Sequence, residues 1–219
     1  MPRPRIVRET RRAVELREPP SGDGLTAHPW LTEESRALLD SARMSEDPLE
    51  FYLSRPGEMK IREHALTYAP RRLEVMGFML GEVAEWRGKQ YSVARDVVTT
   101  ELMSTPSKVR FDPEALPQLF HGLDGSGFDY ILVGWYHSHP GHTCFLSGRD
   151  LETQRTMFSQ SFHVALVVDP VNEEAKAFRL AGDGYEEVRF ALFDPSEYPP
   201  SEPRQVRQRR LRKIQAKDI

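Results

Sequence analysis

The residues of this chain that could do chemistry are concentrated in Gly134-Trp-Tyr-His-Ser-His-Pro-Gly-His-Thr-Cys-Phe-Leu-Ser-Gly-Arg-Asp150. His137, His139, Ser147 and Asp150 form the pattern His-x-His-Pro, six residues, Ser-x-x-Asp. Two imidazoles and one carboxylate suit zinc, and three protein ligands leave its fourth position open for water, as catalytic sites require. From average residue usage the whole pattern arises by chance in on the order of one chain in 10^5 of this length. Ser147-x-x-Asp150 taken alone also reads as a capping box at a helix start.

The elements that must position these groups follow from the flanking residues. Tyr130-Ile-Leu-Val-Gly-Trp-Tyr136 is apolar and rich in β-branched and aromatic residues, so it reads as a buried strand. His137 and His139 extend that strand. Side chains two apart share a face, so both imidazoles can reach one ion. Trp135 and Tyr136 face opposite sides, one in the core and the other at the cleft. Pro140-Gly141 ends the strand, and a helix from about Gly148 to Ser159 brings Asp150 back in its first turn.

These residues resemble the JAMM motif of MPN+ zinc metalloproteases, in the branch of the deubiquitinating subunit of the proteasome lid and its signalosome relative. The similarity extends, in order, through Leu73 to Glu82, Val133 to Gly141, Cys144, Leu146-Ser147-Gly148, Thr153-Gln154, Val167-Val168-Asp169-Pro170 and Ala177-Phe178-Arg179. It implies a cytidine-deaminase-like α/β fold, a mixed β-sheet flanked by helices. It implies a zinc isopeptidase that removes ubiquitin or a ubiquitin-like modifier from lysine. Glu74 is implied as the general base, His137, His139 and Asp150 as metal ligands, and Ser147 as an oxyanion donor. Trp135, His142, Phe145, Met103 and Ser104 are implied near the substrate cleft. Met103 to Lys108 reads as a polar loop, which in the family is a mobile insert beside the cleft.

The sequence departs from the family in places. Phe145 stands where the lid branch usually has tryptophan, which bears on specificity. With one cysteine the chain has none to spare for a second, structural zinc, so one Zn2+ per chain is expected. Cys144 is expected to be a packed loop residue rather than a nucleophile, and His28, His64, His121 and His163 to be structural. The short region after Leu192 speaks against obligate pairing with an inactive MPN subunit and points to a prokaryotic or archaeal relative.

The chain of 219 residues suits one domain with terminal extensions. Residues 1–57 read as an N-terminal extension, either a packed arm or a docking or gating segment. Residues 58–193 read as the catalytic domain, and residues 194–219 as a Pro-rich linker and basic tail. Residues 200–219 carry 7 basic and 2 acidic groups, whereas the whole chain has net charge −3. The tail is open to three readings: a solvated end, a dock for an acidic partner such as a proteasome-like complex, or nonspecific nucleic-acid contact. Residues 1–199 carry a net −8, which argues against nucleic acid as the main partner. No apolar run is long enough to span a bilayer, and the Arg-rich N-terminus lacks the h-region of a secretory signal. With the single cysteine, this favours a cytoplasmic setting.

In the core, Met59-Lys60-Ile61 reads as a short strand, Arg62 to Ala69 as a helix, and Glu74 to Val83 and Tyr91 to Thr99 as strands joined across Gly88. Gly77 within the first of these strands reads as a close backbone approach. Asp112-Pro113 opens a helix, Phe162 to Val168 and Ala175 to Leu180 are strands, and Tyr185 to Leu192 reads as one more. Two further hypotheses remain beside the isopeptidase: the same hydrolysis on another amide or a sulfur-carrier adduct, and an MPN scaffold whose turnover is incidental.

Overall fold

The strand β7 (Ile131–Ser138) runs through the middle of a nine-stranded mixed sheet. The computed structural model describes residues 14–21, 24–43, 47–99, 102–105, 108–111 and 131–200. Its remaining strands are β1 (Glu15–Leu16), β2 (Phe51–Ser54), β3 (Met76–Trp86), β4 (Lys89–Val98), β5 (Leu102–Thr105), β6 (Lys108–Phe111), β8 (Val164–Asp169), β9 (Glu174–Ala181), β10 (Gly184–Val188) and β11 (Phe190–Phe193). Among the described residues three α-helices accompany them: α1 (Glu33–Arg43), α2 (Arg55–Tyr68) and α3 (Gly148–Met157). The sheet order is β10-β9-β8-β7-β3-β4-β2-β11, and β1 pairs with the far end of β3.

β10 and β11 stand at opposite ends of this order, yet only Arg189 separates them in sequence. The sheet therefore has to curl. Arg189 closes the seam by donating to Glu50 through its backbone N–H and its guanidinium. The single strand expected from Tyr185 to Leu192 is for this reason two strands that serve opposite edges.

β7 is apolar on both faces because both are covered. On one face Tyr136 packs with Ile61 and Ala65 of α2, and its hydroxyl meets His64 Nδ1 at 2.8 Å. On the other face Trp135 packs with Phe158 and Leu146 beside α3. β8 alternates in the same way, with Val164, Leu166 and Val168 on the first face and Ala165 and Val167 on the second. The fold is α/β, as expected, with helices on both faces.

Several expectations are corrected. Met59–Ile61 is helix, not strand. Ser54 accepts the Gly57 N–H and Pro56 occupies the first turn, so α2 begins earlier than Arg62. Ile61 and Ala65 then fall on its buried face. The stretch read as an N-terminal extension supplies β2 to the sheet and Trp30, Leu31 and Leu39 to the core. The segment Met103 to Lys108 is no plain loop: β5 and β6 pair antiparallel from Leu102↔Phe111 to Thr105↔Lys108. The helix expected at Asp112, His121, the first thirteen residues and the tail from 201 lie outside the described residues. Thr32 caps α1, accepting the Ser35 N–H.

Candidate metal centre

The end of β7 carries the site. β7 pairs antiparallel with β3 through Met76↔His137, and Val75 and Ser138 bond to each other through Ser138 N–H to Val75 O and Val75 N–H to Ser138 Oγ. Running that register back places Glu74 opposite His139. On the other side the β8 ladder continues past the strand end, where the His139 N–H donates to Val168 O at 2.9 Å.

His137 Nε2 and His139 Nε2 lie 3.1 Å apart. Asp150 Oδ2 lies 3.6 Å from the first and 3.5 Å from the second. These three residues form a cluster that could hold a metal ion. His139 Nδ1 lies 3.2 Å from Thr143 O. A carbonyl only accepts, so the proton of a neutral His139 sits on Nδ1 and the Nε2 lone pair faces the cluster. His137 is buried and its Nδ1 has no hydrogen-bond partner among the described residues. The Trp135 indole lies flat against its ring.

Asp150 meets both geometries that the sequence left open, the helix cap and the approach to the two imidazoles. Its Oδ2 accepts the Ser147 N–H at 2.8 Å, and its own N–H donates to Ser147 Oγ at 3.3 Å, which completes a capping box. The same Oδ2 faces both imidazoles. The cap thus fixes the carboxylate at the mouth of the cluster.

The electrostatics suit ligation. Burial lowers the pKa of His137 against the pull of Asp150, which favours the neutral, ligating ring. Burial also acts to lower His139, but Asp150 and Glu74 outweigh it and hold that ring above its usual value. Burial works to raise Asp150, and the two histidines and Ser147 overcome it, so the carboxyl is held well below the usual range. Burial raises Glu74 to about 7, with Asp150 adding to the rise and His139 and Arg149 opposing it.

The other expected residues are distributed unevenly. Phe145 is 40% exposed, and its ring centroid is 4.9 Å from that of His139, so it borders the cluster. His142 is exposed in the loop. Trp135 is only 2% exposed and supports His137 from beneath instead of lining a cleft. Met103 and Ser104 fall on β5. Cys144 is buried, its thiol donates to Val167 O, and burial raises its pKa, as fits a packed residue. Two residues that the sequence reading gave no role also contribute. Gln154 receives the Trp135 indole N–H at 2.6 Å. Asp169 gathers the N–H groups of the loop that follows His139. Asp169-Pro170 is by itself a turn signal, and nothing local in it points to residues 141–143.

Comparison with known proteins agrees with this geometry. Residues 49–160 match the family model described as JAB1/Mov34/MPN/PAD-1 ubiquitin protease. The 26S proteasome non-ATPase regulatory subunit 14 of Dictyostelium discoideum is 31% identical over 77% of this chain and 51% of its own length. COP9 signalosome complex subunit 5 of Drosophila melanogaster is 32% identical over 76% of this chain and 52% of its own. The ubiquitin carboxyl-terminal hydrolase RPN11 of Saccharomyces cerevisiae is 37% identical over 61% and 44%. The chain spans about half the length of these curated relatives. The match of the family model over half of the sequence, with the His-His-Asp cluster inside it, makes this chain a member of the JAB1/Mov34/MPN/PAD-1 family.

Proposed function

We propose that this chain is a zinc-dependent isopeptidase that releases ubiquitin or a ubiquitin-like modifier from target lysines. The observation that carries this reading is the convergence of His137 Nε2, His139 Nε2 and Asp150 Oδ2 beside the Glu74 carboxyl. The donor set fits zinc. A tetrahedral centre with bonds of about 2.0–2.2 Å has ligand–ligand edges of about 3.3–3.6 Å. The observed separations of 3.1, 3.5 and 3.6 Å lie near that range. When bound, zinc supplies a Lewis acid that polarises a carbonyl and brings the pKa of water to about 7.

The residues of the chain do the rest. Glu74, with a pKa near neutrality, accepts a proton from the attacking water as its carboxylate and returns it to the departing lysine amine. Ser147 Oγ accepts from Asp150 N–H, so its own O–H remains to donate to the oxyanion formed at the scissile carbonyl. Phe145, at the rim beside His139, offers an apolar contact for the modifier's tail. The named relatives are proteasome and signalosome subunits, which supports action within or beside such a complex. No helix among the described residues is long and apolar enough to cross a membrane.

The test is hydrolysis of a lysine-linked ubiquitin-like conjugate by the zinc-loaded full chain. A chelator should abolish turnover and added zinc restore it. Turnover that survives complete removal of zinc would refute the reading.

A further inference from the structure

We propose that Asp169 is a positioning residue for the metal centre, acting on His139 through Thr143. The inference rests on the metal centre described above and not on the identity of the substrate.

The argument begins at Thr143. Its φ is +65°, a left-handed conformation that a β-branched residue resists. Such strain persists only where the surroundings impose it. Here the imposing group is visible. Thr143 N–H donates to Asp169 Oδ2 at 2.8 Å, and Gly141 N–H donates to Asp169 Oδ1 at 2.8 Å. Asp169 also collects the N–H groups of Val171 and Asn172 on Oδ1 and the Asn172 side-chain amide on Oδ2. Its residue is 0% exposed. Five N–H donors surround one buried carboxylate, which anchors the loop from two sides.

The loop's strained turn has a product. With Thr143 left-handed, its carbonyl oxygen sits 3.2 Å from His139 Nδ1. This bond holds the ring with Nε2 toward His137 and Asp150. Hydrogen bonds of this kind set the tautomer and orientation of a ligating histidine, and their loss typically costs about 10–100-fold in metal affinity. The chain of contact thus runs from Asp169 through the Thr143 backbone to the ligand.

Asp169→Asn tests it at nearly constant shape. The amide can present its oxygen to only one side, and donors occupy both. Its NH2 group therefore faces an N–H, and one anchor is lost. The full chain, Asp169→Asn, Thr143→Gly and the double variant would be titrated with zinc against a chromophoric chelator. Histidine ring 15N shifts in the metal-free proteins, taken at alkaline pH where the imidazoles are neutral, would give the His139 tautomer. Asp169→Asn should remain folded, bind zinc about 10–100-fold more weakly, and lose the pure Nδ1–H signature. Thr143→Gly, which keeps the backbone N–H and carbonyl, supplies the reference for the double variant. In the double variant glycine adopts a positive φ without the Cβ penalty, so several-fold of the affinity should return. Wild-type affinity and tautomer in a folded Asp169→Asn would overturn this inference alone. Loss with no recovery in the double variant would also overturn it, since it would mean general damage rather than loop geometry. A wild type that binds no zinc would overturn the metal centre itself.

Discussion

The Trp135 indole lies parallel to the His137 imidazole, with ring centroids 4.4 Å apart and planes 11° apart. The two residues are neighbours on one face of β7, and Phe158 stacks on the other side of the indole at 5.7 Å. The indole N–H is held by Gln154 Oε1, and Gln154 Nε2 in turn donates to Phe158 O and His163 O. One imidazole of the cluster is therefore held by stacking, whereas that of His139 is held by hydrogen bonds. Gln154→Leu should strand the buried indole N–H and two carbonyls, and lower stability by about 1–3 kcal/mol. Urea unfolding of the metal-free proteins would measure it, and unchanged stability would show that the amide is dispensable.

Acid stability should report on Asp169. Burial alone would raise its carboxyl, but the N–H groups of Gly141, Thr143, Val171 and Asn172 outweigh burial and hold it below the usual value. A depressed carboxyl contributes stability that is fully present above the unfolded value of about 3.9 and is lost as pH falls through the folded value. The stability difference between wild type and Asp169→Asn should therefore be constant near neutrality and shrink below about pH 4. Denaturant unfolding across that range checks it. A gap that widens in acid would contradict the assignment.

Glu74 has the opposite sign. Burial raises its carboxyl to about 7 in the metal-free chain. Its folded pKa lies above the unfolded one, so its stabilising contribution is complete below the unfolded value of about 4.3 and is lost as pH rises through about 7. The metal-free wild type should thus lose stability relative to Glu74→Gln across that window. In turnover the carboxylate is the active form, so kcat/KM should fall as pH drops through the Glu74 pKa. A bound dication lowers that pKa, which places this acid limb at or below pH 7. A limb well above neutrality would exclude Glu74 as its source.

Gly77 is required by a neighbour. A Cβ there would lie 2.3 Å from Tyr136 Cε1 and 2.6 Å from its hydroxyl oxygen. That hydroxyl is the one bonded to His64. Gly77→Ala should displace the Tyr136 ring, break the His64 contact and cost about 1–3 kcal/mol. Thermal unfolding together with the His64 ring signals would detect both effects.

Much of the site was legible in the sequence because its logic is local. Two histidines on one strand face, and a carboxylate in the first turn of the next helix, are spacings that a single chain reading can interpret. At Gly77 a close approach was legible but its source was not: the neighbour is the Tyr136 ring and not the backbone expected. What could not be read depends on distant partners. Asp169 reaches the loop at residues 141–143 only because β8 lies parallel to β7. The split between β10 and β11 follows from a curl that no local pattern encodes. The start of α2 was a different case. Ser54 and Pro56 signalled it, but the alternation of Met59-Lys60-Ile61 imitated a strand.

The most direct test of the central claim is cleavage of an isopeptide-linked ubiquitin-like conjugate by zinc-loaded wild type beside zinc-loaded Glu74→Gln. The account predicts cleavage by the wild type and a rate lower by about 10²–10⁴-fold in the variant, with zinc bound equally by both. Equal cleavage by the two proteins would contradict the proposed proton transfer and, with it, the mechanism assigned to this centre.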